Sequence, residues 1–437
     1  MRHDTLYLWF LGDPKSPRYV GILRLVEGGK GVSLHYGSEW LASGFALSED
    51  LPLTDIEFRP RGRLAAGTHV AVGAVDDARP DRWGERVIQY IDRPKRLSLM
   101  EFLYYAGDDR FGALGVSTSD TRYLPREGGP LPRLEQAQEL SDVVAKIAAA
   151  EPINDRERAV LKAGGSFGGA KPKALIQIGD AQWVVKFFNN EPVDSPLVEH
   201  ATMTLAAQAG IRVAQTRVLT LANTLHAIAV RRFDRADHAR IHSLSAGTAL
   251  RAAAPAGQEP EMGYPALALL LRRAGVAEGN ANTEDAAELF RRMVFNILVD
   301  NTDDHEKNHS LLVVSPWENG RFRLAPAYDV LPSNSGQGRQ EFICGDQGTA
   351  STLENAMSQC QSFGLAPKDA ALQVQRVIGV LDTWKEHFAS CGVTAGDIEQ
   401  LEQRIDGEEL LEQRRGFRAG SYAATPARRP RRNPFRP

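Results

Sequence analysis

Cysteine is scarce: Cys344, Cys360 and Cys391 are the only three in 437 residues, and none form a C-x-x-C pair. Such an odd, scattered set excludes a disulfide framework and a cysteine-rich zinc site, and it is the usage of a reducing compartment. Long hydrophobic runs are missing as well. No stretch approaches the roughly 18 apolar residues needed to cross a bilayer. The opening MRHDTLYLWFLGDPKS breaks its apolar patch at Gly12, Asp13 and Pro14 and lacks a small-residue cleavage site. The expectation is a soluble, cytoplasmic protein with no membrane contact. Charge of one sign is missing too: the net value is −3, so no global field draws the chain to nucleic acid.

What the chain does have is length and local pattern. Its 437 residues suffice to bury roughly three quarters of the unfolded surface without disulfides. From Thr5 to about Val116, short strand-like runs alternate with turn signals, with Gly28-Gly29-Lys30-Gly31 at the centre of a predicted hairpin. ALIQIG and QWVVKFF flank Gly179-Asp180 and predict two antiparallel strands. After Asn190 the pattern turns helical. Ser195 and Pro196 predict a helix start and Gly210 its end. Leu289, Phe290, Met293, Val294, Ile297 and Leu298 mark the buried face of a helix from Thr283 to about Val299.

The stretch VDNTDDHEKNHSLLVV, Val299 to Val314, admits two incompatible chemistries. HEKNH matches the H-E-x-x-H of a zinc hydrolase, which needs both histidines on one helix and a third ligand such as Asp329. DDHEKN has the D-x-x-x-x-N spacing of a kinase catalytic loop. The turn-forming DNTDD before the histidines and the strand-like SLLVV after them argue against a helix. On the kinase reading Asp303 is the base and Asn308 a metal ligand. A hairpin signalled by Asn319-Gly320 returns Asp329 beside Asn308, so two oxygen ligands suit Mg²⁺. GGSFGGAKPK, Gly164 to Lys173, lacks the G-K-[ST] ending of a Walker A motif but offers backbone N–H groups to phosphates. Lys186 on its strand and Glu199 on the following helix form a candidate ion pair of the kind that orients ATP.

These pieces in this order resemble the HipA-like serine/threonine kinases, toxin halves of bacterial toxin–antitoxin pairs. LSEDLPL, RPDRWGERVI and GDDRFGALGV resemble the family's N-terminal subdomain; SFGGAKPK, RRFDR, NTDDHEKNHS and YDVLPS resemble its ATP and metal site. The resemblance implies ATP and Mg²⁺ as cofactors, with Asp303 as proton acceptor and Asn308 and Asp329 as Mg²⁺ ligands. It further implies Lys186 on the α/β-phosphates, Gly168, Gly169, Ala170, Lys171, Pro172 and Lys173 lining the phosphates, and Arg231, Arg232 and Phe233 offering backbone groups to adenine. His305 and Tyr328 would line the nucleotide. Ser166 would be an autophosphorylation site. Implied partners are an aminoacyl-tRNA synthetase as substrate and a HipB-like helix-turn-helix antitoxin, with DNA reached only through the antitoxin. Pro172 stands where well-known members have Glu and Arg231 where they have an acid; the departure at the hinge, Arg231, keeps a catalytically silent kinase-fold module as an alternative.

The implied fold is α+β, a protein-kinase-like two-lobed fold with an extra β-rich subdomain. The expected organisation is that subdomain over residues 1–118, a Pro/Gly-rich linker at 119–133, the core of the smaller lobe at 134–194 and a helical lobe at 195–413. A basic, disordered tail at 414–437 carries eight arginines and no acid.

Overall fold

The computed structural model describes residues 3–60, 70–165, 171–188, 191–236, 238–255, 257–318, 320–333 and 335–422. The chain divides into two compact units. The first holds Met1–Asn189, Leu219–Leu244 and Leu312–Gly320; the second holds Asn190–Val218, Ser245–Leu311 and Arg321–Pro437.

The first unit opens with strands β1 (Thr5–Phe10), β2 (Arg18–Val26), β3 (Gly31–Tyr36), β4 (Glu57–Phe58), β5 (Val70–Ala71) and β6 (Leu114–Ser117). They form one sheet in the order β4-β3-β2-β1-β6, with β5 parallel to β3. The expected Gly-rich hairpin is present: β2 pairs with β3 from Val26↔Gly31 outward. Gly28 and Gly29 take φ values of 63° and 94° in the turn, where a side chain is disfavoured. Helices α1 (Ser38–Ser43), α2 (Arg82–Ile91) and α3 (Leu99–Tyr105) are interleaved with these strands, so this segment is less purely β than its sequence suggests. The Pro/Gly-rich 119–133 stretch has little regular structure, yet it is pinned. Arg126 is buried and donates to the Asp92 carboxylate at 2.8 Å and to the Lys162 carbonyl at 2.8 Å.

A second sheet follows α4 (Ala137–Ala148) and α5 (Asp155–Leu161). Its strands are β7 (Lys173–Ile178), β8 (Ala181–Phe187), β9 (Thr216–Thr220) and β10 (His226–Arg231), in the order β7-β8-β10-β9. Gly179, at φ 58°, makes the two-residue β7–β8 turn predicted from Gly-Asp. Strand alternation then sorts the faces. Ala174, Ile176, Val185, Phe187, Ala227 and Ala229 pack against Trp83 and Val87 of α2 and Leu140, Val144 and Ile147 of α4. Lys173 and Lys186 therefore point to the opposite face, where they stand directly across from one another. Short strands β11 (Arg235–Ala236), β12 (Ala239–Arg240) and β13 (His242–Ser245) come next in the chain.

In the second unit α6 (Ser195–Gln208) is buried on most of its circumference, as a helix rich in Leu, Val, Met and Ala should be. Its N-cap is Asp194, whose carboxylate accepts from the Leu197 N–H; Ser195, the expected cap, is already inside the helix with Pro196. Gly210, at φ 79°, follows its C-terminus as predicted. Helices α7 (Ala246–Ala253), α8 (Tyr264–Ala274) and α9 (Ala281–Leu298) lead to the Asp-rich loop, then β14 (Ser310–Val313) and β15 (Phe322–Leu324). Helices α10 (Leu353–Ser358), α11 (Pro367–Leu381), α12 (Trp384–Ser390), α13 (Ala395–Ile405) and α14 (Glu408–Gly416) complete it. Arg414, expected at the start of a disordered tail, lies in α14, buried and paired with Asp406. Residues 423–437 fall outside the described part of the chain.

Candidate functional site

The loop between α9 and β14 is built from turns, with no helix between Val299 and His309. His305 and His309 thus do not share a helical face, and the geometric premise of the zinc reading fails. Among the described residues no group of three or more His, Cys, Asp or Glu side chains is placed to hold a metal.

The loop separates its two adjacent carboxylates. Asp304 is 2% exposed, accepts a hydrogen bond from the Tyr264 hydroxyl and faces His309 Nε2 at 2.8 Å. Burial alone would raise its pKa, but the His309 charge and the bonds from His309 and Tyr264 hold it below the ordinary carboxylate range. Burial beside that carboxylate pushes the Tyr264 hydroxyl well above its usual range. Asn296 Nδ2 donates to the Tyr264 oxygen at 3.1 Å, and Asn301 Nδ2 to Asn296 Oδ1 at 3.1 Å. Asp303, in contrast, is exposed. Asn308 is buried; its N–H donates to the His305 carbonyl at 2.9 Å and its Nδ2 to the Asp303 carbonyl at 3.3 Å. His305 is half-buried, with Nδ1 accepting from the Lys307 N–H at 3.1 Å.

The return from β15 brings Tyr328 to this loop. Its hydroxyl donates to the Lys307 carbonyl at 2.7 Å and accepts from Ser310 Oγ, also at 2.7 Å. Ala325 N–H donates to the Ser310 carbonyl at 2.8 Å. The next residue, Asp329, is half-buried and takes φ 58°, a left-handed conformation that Asp tolerates better than most side chains. Asp300 at the loop's other end also has φ 58°. Two left-handed acids bracketing one constellation are the kind of backbone strain that collects at functional sites.

The support beneath was not anticipated. Asp285, Glu288, Arg292 and Asn296 recur at helical spacing on α9, on a buried face distinct from the predicted apolar one. Asp285 accepts from Arg212, Arg323 and the Leu324 N–H; Glu288 accepts from Arg212 and Arg292; Arg292 Nη2 donates to the Ala325 carbonyl at 2.7 Å. This network fixes β15 and the segment that ends in Asp329. Acids and arginines at i, i+3 and i+7 within an otherwise apolar helix were its sequence signal.

In the first unit, Lys173 and Lys186 are 9% and 5% exposed. Two opposed, buried ammonium groups require negative charge within reach. Glu199 lies fully buried in α6 of the second unit. Lys171 stacks over the Phe188 ring at 4.7 Å, and the Pro172 carbonyl accepts from the Phe187 N–H at 3.0 Å. Ser166, Gly168, Gly169 and Ala170 lie outside the described residues. RRFDR has a structural role at its centre. Arg232 and Asp234 form a buried pair at 2.7 Å; Arg232 donates to the carbonyls of Asp109 and Arg110, and Asp234 accepts from the Gly112 N–H and from Arg235. GDDRFG and RRFDR are thus two halves of one clasp, and Arg232 has only its backbone to offer a ligand. Arg231 pairs with Trp183 at the end of β10.

Two family models match: the HipA-like C-terminal domain over residues 165–385 and the HipA N-terminal domain over residues 16–117. The chain belongs to the HipA-like family. Along 162 residues it is 30% identical to a Sinorhizobium fredii protein named "Putative kinase Y4dM", a match covering 34% of this chain and 37% of that protein, so the chain spans little more than a third of that relative. Its fold is similar to that of HipA of Shewanella oneidensis MR-1, solved with HipB and operator DNA. The TM-score is 0.65 at 17% identity, covering 97% of this chain and all of that one. The Helicobacter pylori proinflammatory kinase CtkA aligns at a TM-score of 0.38 and 14% identity, over 57% of this chain and 93% of that one. The α+β HipA-like fold expected from the sequence is the fold observed. Among the described residues no helix is long and apolar enough to cross a membrane.

Proposed function

We propose that the chain is an ATP- and Mg²⁺-dependent serine/threonine protein kinase of the HipA-like type. The observation that carries this reading is the opposite treatment of adjacent carboxylates. Asp304 is consumed by internal bonds, while Asp303 faces solvent, suited to accept the proton of an incoming hydroxyl. Asn308 spends its NH₂ on the Asp303 carbonyl, which turns its amide oxygen to other use. That oxygen and the Asp329 carboxylate are hard donors that fit Mg²⁺. The metal, when bound, supplies positive charge for the phosphate oxygens. By family likeness Lys186 and Lys173 supply charge for the phosphates, and Glu199 is the orienting carboxylate that the family assigns to the strand lysine. Gly168 to Lys173 line the phosphates, the Arg231 to Phe233 backbone meets adenine, and His305 and Tyr328 border the nucleotide.

By family likeness the substrate is a protein such as an aminoacyl-tRNA synthetase, and the partner a HipB-like antitoxin that carries the contact with DNA. The absence of a membrane-crossing helix among the described residues is consistent with cytoplasmic action. The test is to incubate the purified chain with labelled ATP and Mg²⁺ and map the phosphate by mass spectrometry. Phosphate is expected on Ser166, with ATP affinity reduced by the added charge. Nucleotide binding without any transfer would replace this reading by a silent kinase-fold module.

A further inference from the structure

Beneath the loop the second unit has a partly open cavity of about 10 Å³, lined by apolar Ala206 and Phe295 and by polar Arg292, Asp304, Asn308 and His309. Two of these polar side chains carry a buried atom with no hydrogen-bond partner among the described residues: Nη1 of Arg292 and Nδ1 of His309. The side chains are 3% and 2% exposed, so bulk solvent does not satisfy them. Native interiors rarely leave such groups unmet.

The chemistry of the pair selects the ligand. Arg292 can only donate. At His309 the Nε2 faces the Asp304 carboxylate at 2.8 Å, an acceptor, so Nε2 carries a proton. Nδ1 is then an acceptor in the neutral ring and a donor in the imidazolium. A direct arginine–histidine bond would serve one charge state only. Water accepts from Arg292 and bonds Nδ1 in either state, and a cavity of roughly 10–15 Å³ by this measure holds one water. We propose that this cavity is an internal water site, in which one ordered water accepts a hydrogen bond from Arg292 Nη1 and bonds His309 Nδ1. The bridge ties the polar face of α9 to the loop, adding to the Asp304, Tyr264 and Asn296 chain on the other side of the imidazole. The site stands independently of the kinase reading; its consequence for catalysis rests on that reading.

A crystal structure of the full chain, at a resolution that shows ordered water, tests the site. A peak at roughly 2.7–3.2 Å from both Arg292 Nη1 and His309 Nδ1 is expected; a dry cavity, or a water bonded to fewer than both, overturns the proposal. Ala206→Val adds two methyl groups at the cavity wall and should displace the water. Amide hydrogen exchange over residues 303–309 should then accelerate about fivefold or more, since the loop loses a tie to α9. In the kinase assay kcat should fall by a similar factor with KM for ATP unchanged. Exchange that matches the parent in a variant shown to be dry removes the bracing role. Should the parent transfer no phosphate, the crystal and exchange results still decide the water site.

Discussion

At Asp303 and Asp304 the same side chain occurs twice in succession, and the fold gives each copy one task. Asp303 is the exposed one, so its replacement disturbs no buried bond. Asp303→Asn is predicted to lower phosphoryl transfer by roughly 10²–10⁴-fold while ATP affinity, read by calorimetry, stays within about twofold of the parent. Turnover at the parental rate would refute the assignment. Asp304→Asn should behave oppositely. It takes away the carboxylate charge that His309 and Tyr264 share and leaves a neutral amide in a buried site, which should cost roughly 3–5 kcal/mol, visible in denaturant unfolding whether or not ATP is present. This division was only half legible. D-x-x-x-x-N singles out Asp303 and Asn308 by spacing, but nothing local says which of two adjacent acids turns inward. That is decided by Tyr264 and His309, 40 residues upstream and five downstream of Asp304.

Between elements, legibility follows the range of the forces involved. The β7–β8 hairpin and α9 could be read from the sequence because their signals are local: a Gly-Asp turn between alternating strands and an apolar repeat at helical spacing. The start of α6 was misplaced by one residue because Asp194 and Ser195 are both good caps, and only Asp194 bonds the Leu197 N–H. Asp194→Ala should therefore lower stability by about 1 kcal/mol in thermal unfolding, whereas loss of the Ser195 hydroxyl removes no cap. An equal effect of both would contradict the assignment. The clasp of Arg232 and Asp234 was invisible, since its partners lie more than 100 residues earlier. Burial opposes ionisation of Asp234, yet Arg232 and Arg235 prevail and lower its pKa from 3.8 to about 2. The sign follows from that direction. A carboxyl depressed by folding contributes stability above its ordinary pKa, and the contribution disappears as pH falls through about 2. Denaturant unfolding should show Asp234→Asn as destabilising at neutral pH. Between about pH 4 and pH 2 the gap from the parent should close by roughly 2 kcal/mol; a gap independent of pH would contradict the pairing.

Across the whole molecule, the chain leaves the first unit after Asn189 and returns to it at Leu219–Leu244 and Leu312–Gly320. The family boundary near residue 118 is thus a place to cut the sequence, and the first unit continues across it. Deleting residues 1–118 would remove the carbonyls of Asp109 and Arg110 that hold Arg232, those of Arg110 and Gly112 that hold Arg235, and the Gly112 N–H on Asp234. It would also remove the Asp109 carboxylate that accepts from the Gly164 N–H at 2.7 Å, at the entry to the candidate phosphate loop. Bonds that involve charged groups contribute roughly 1.5–3 kcal/mol each. Several lost together rival the 5–15 kcal/mol by which a domain is stable. The removed α2 also carries Trp83 and Val87, which cover the second sheet. Residues 119–437 expressed alone should therefore aggregate or unfold without a sharp thermal transition, and ATP should not rescue them. A soluble 119–437 fragment melting cooperatively within a few degrees of the full chain would show the sheet, the phosphate loop and the helical lobe to be self-sufficient, and would leave the clasp as decoration on a separable domain.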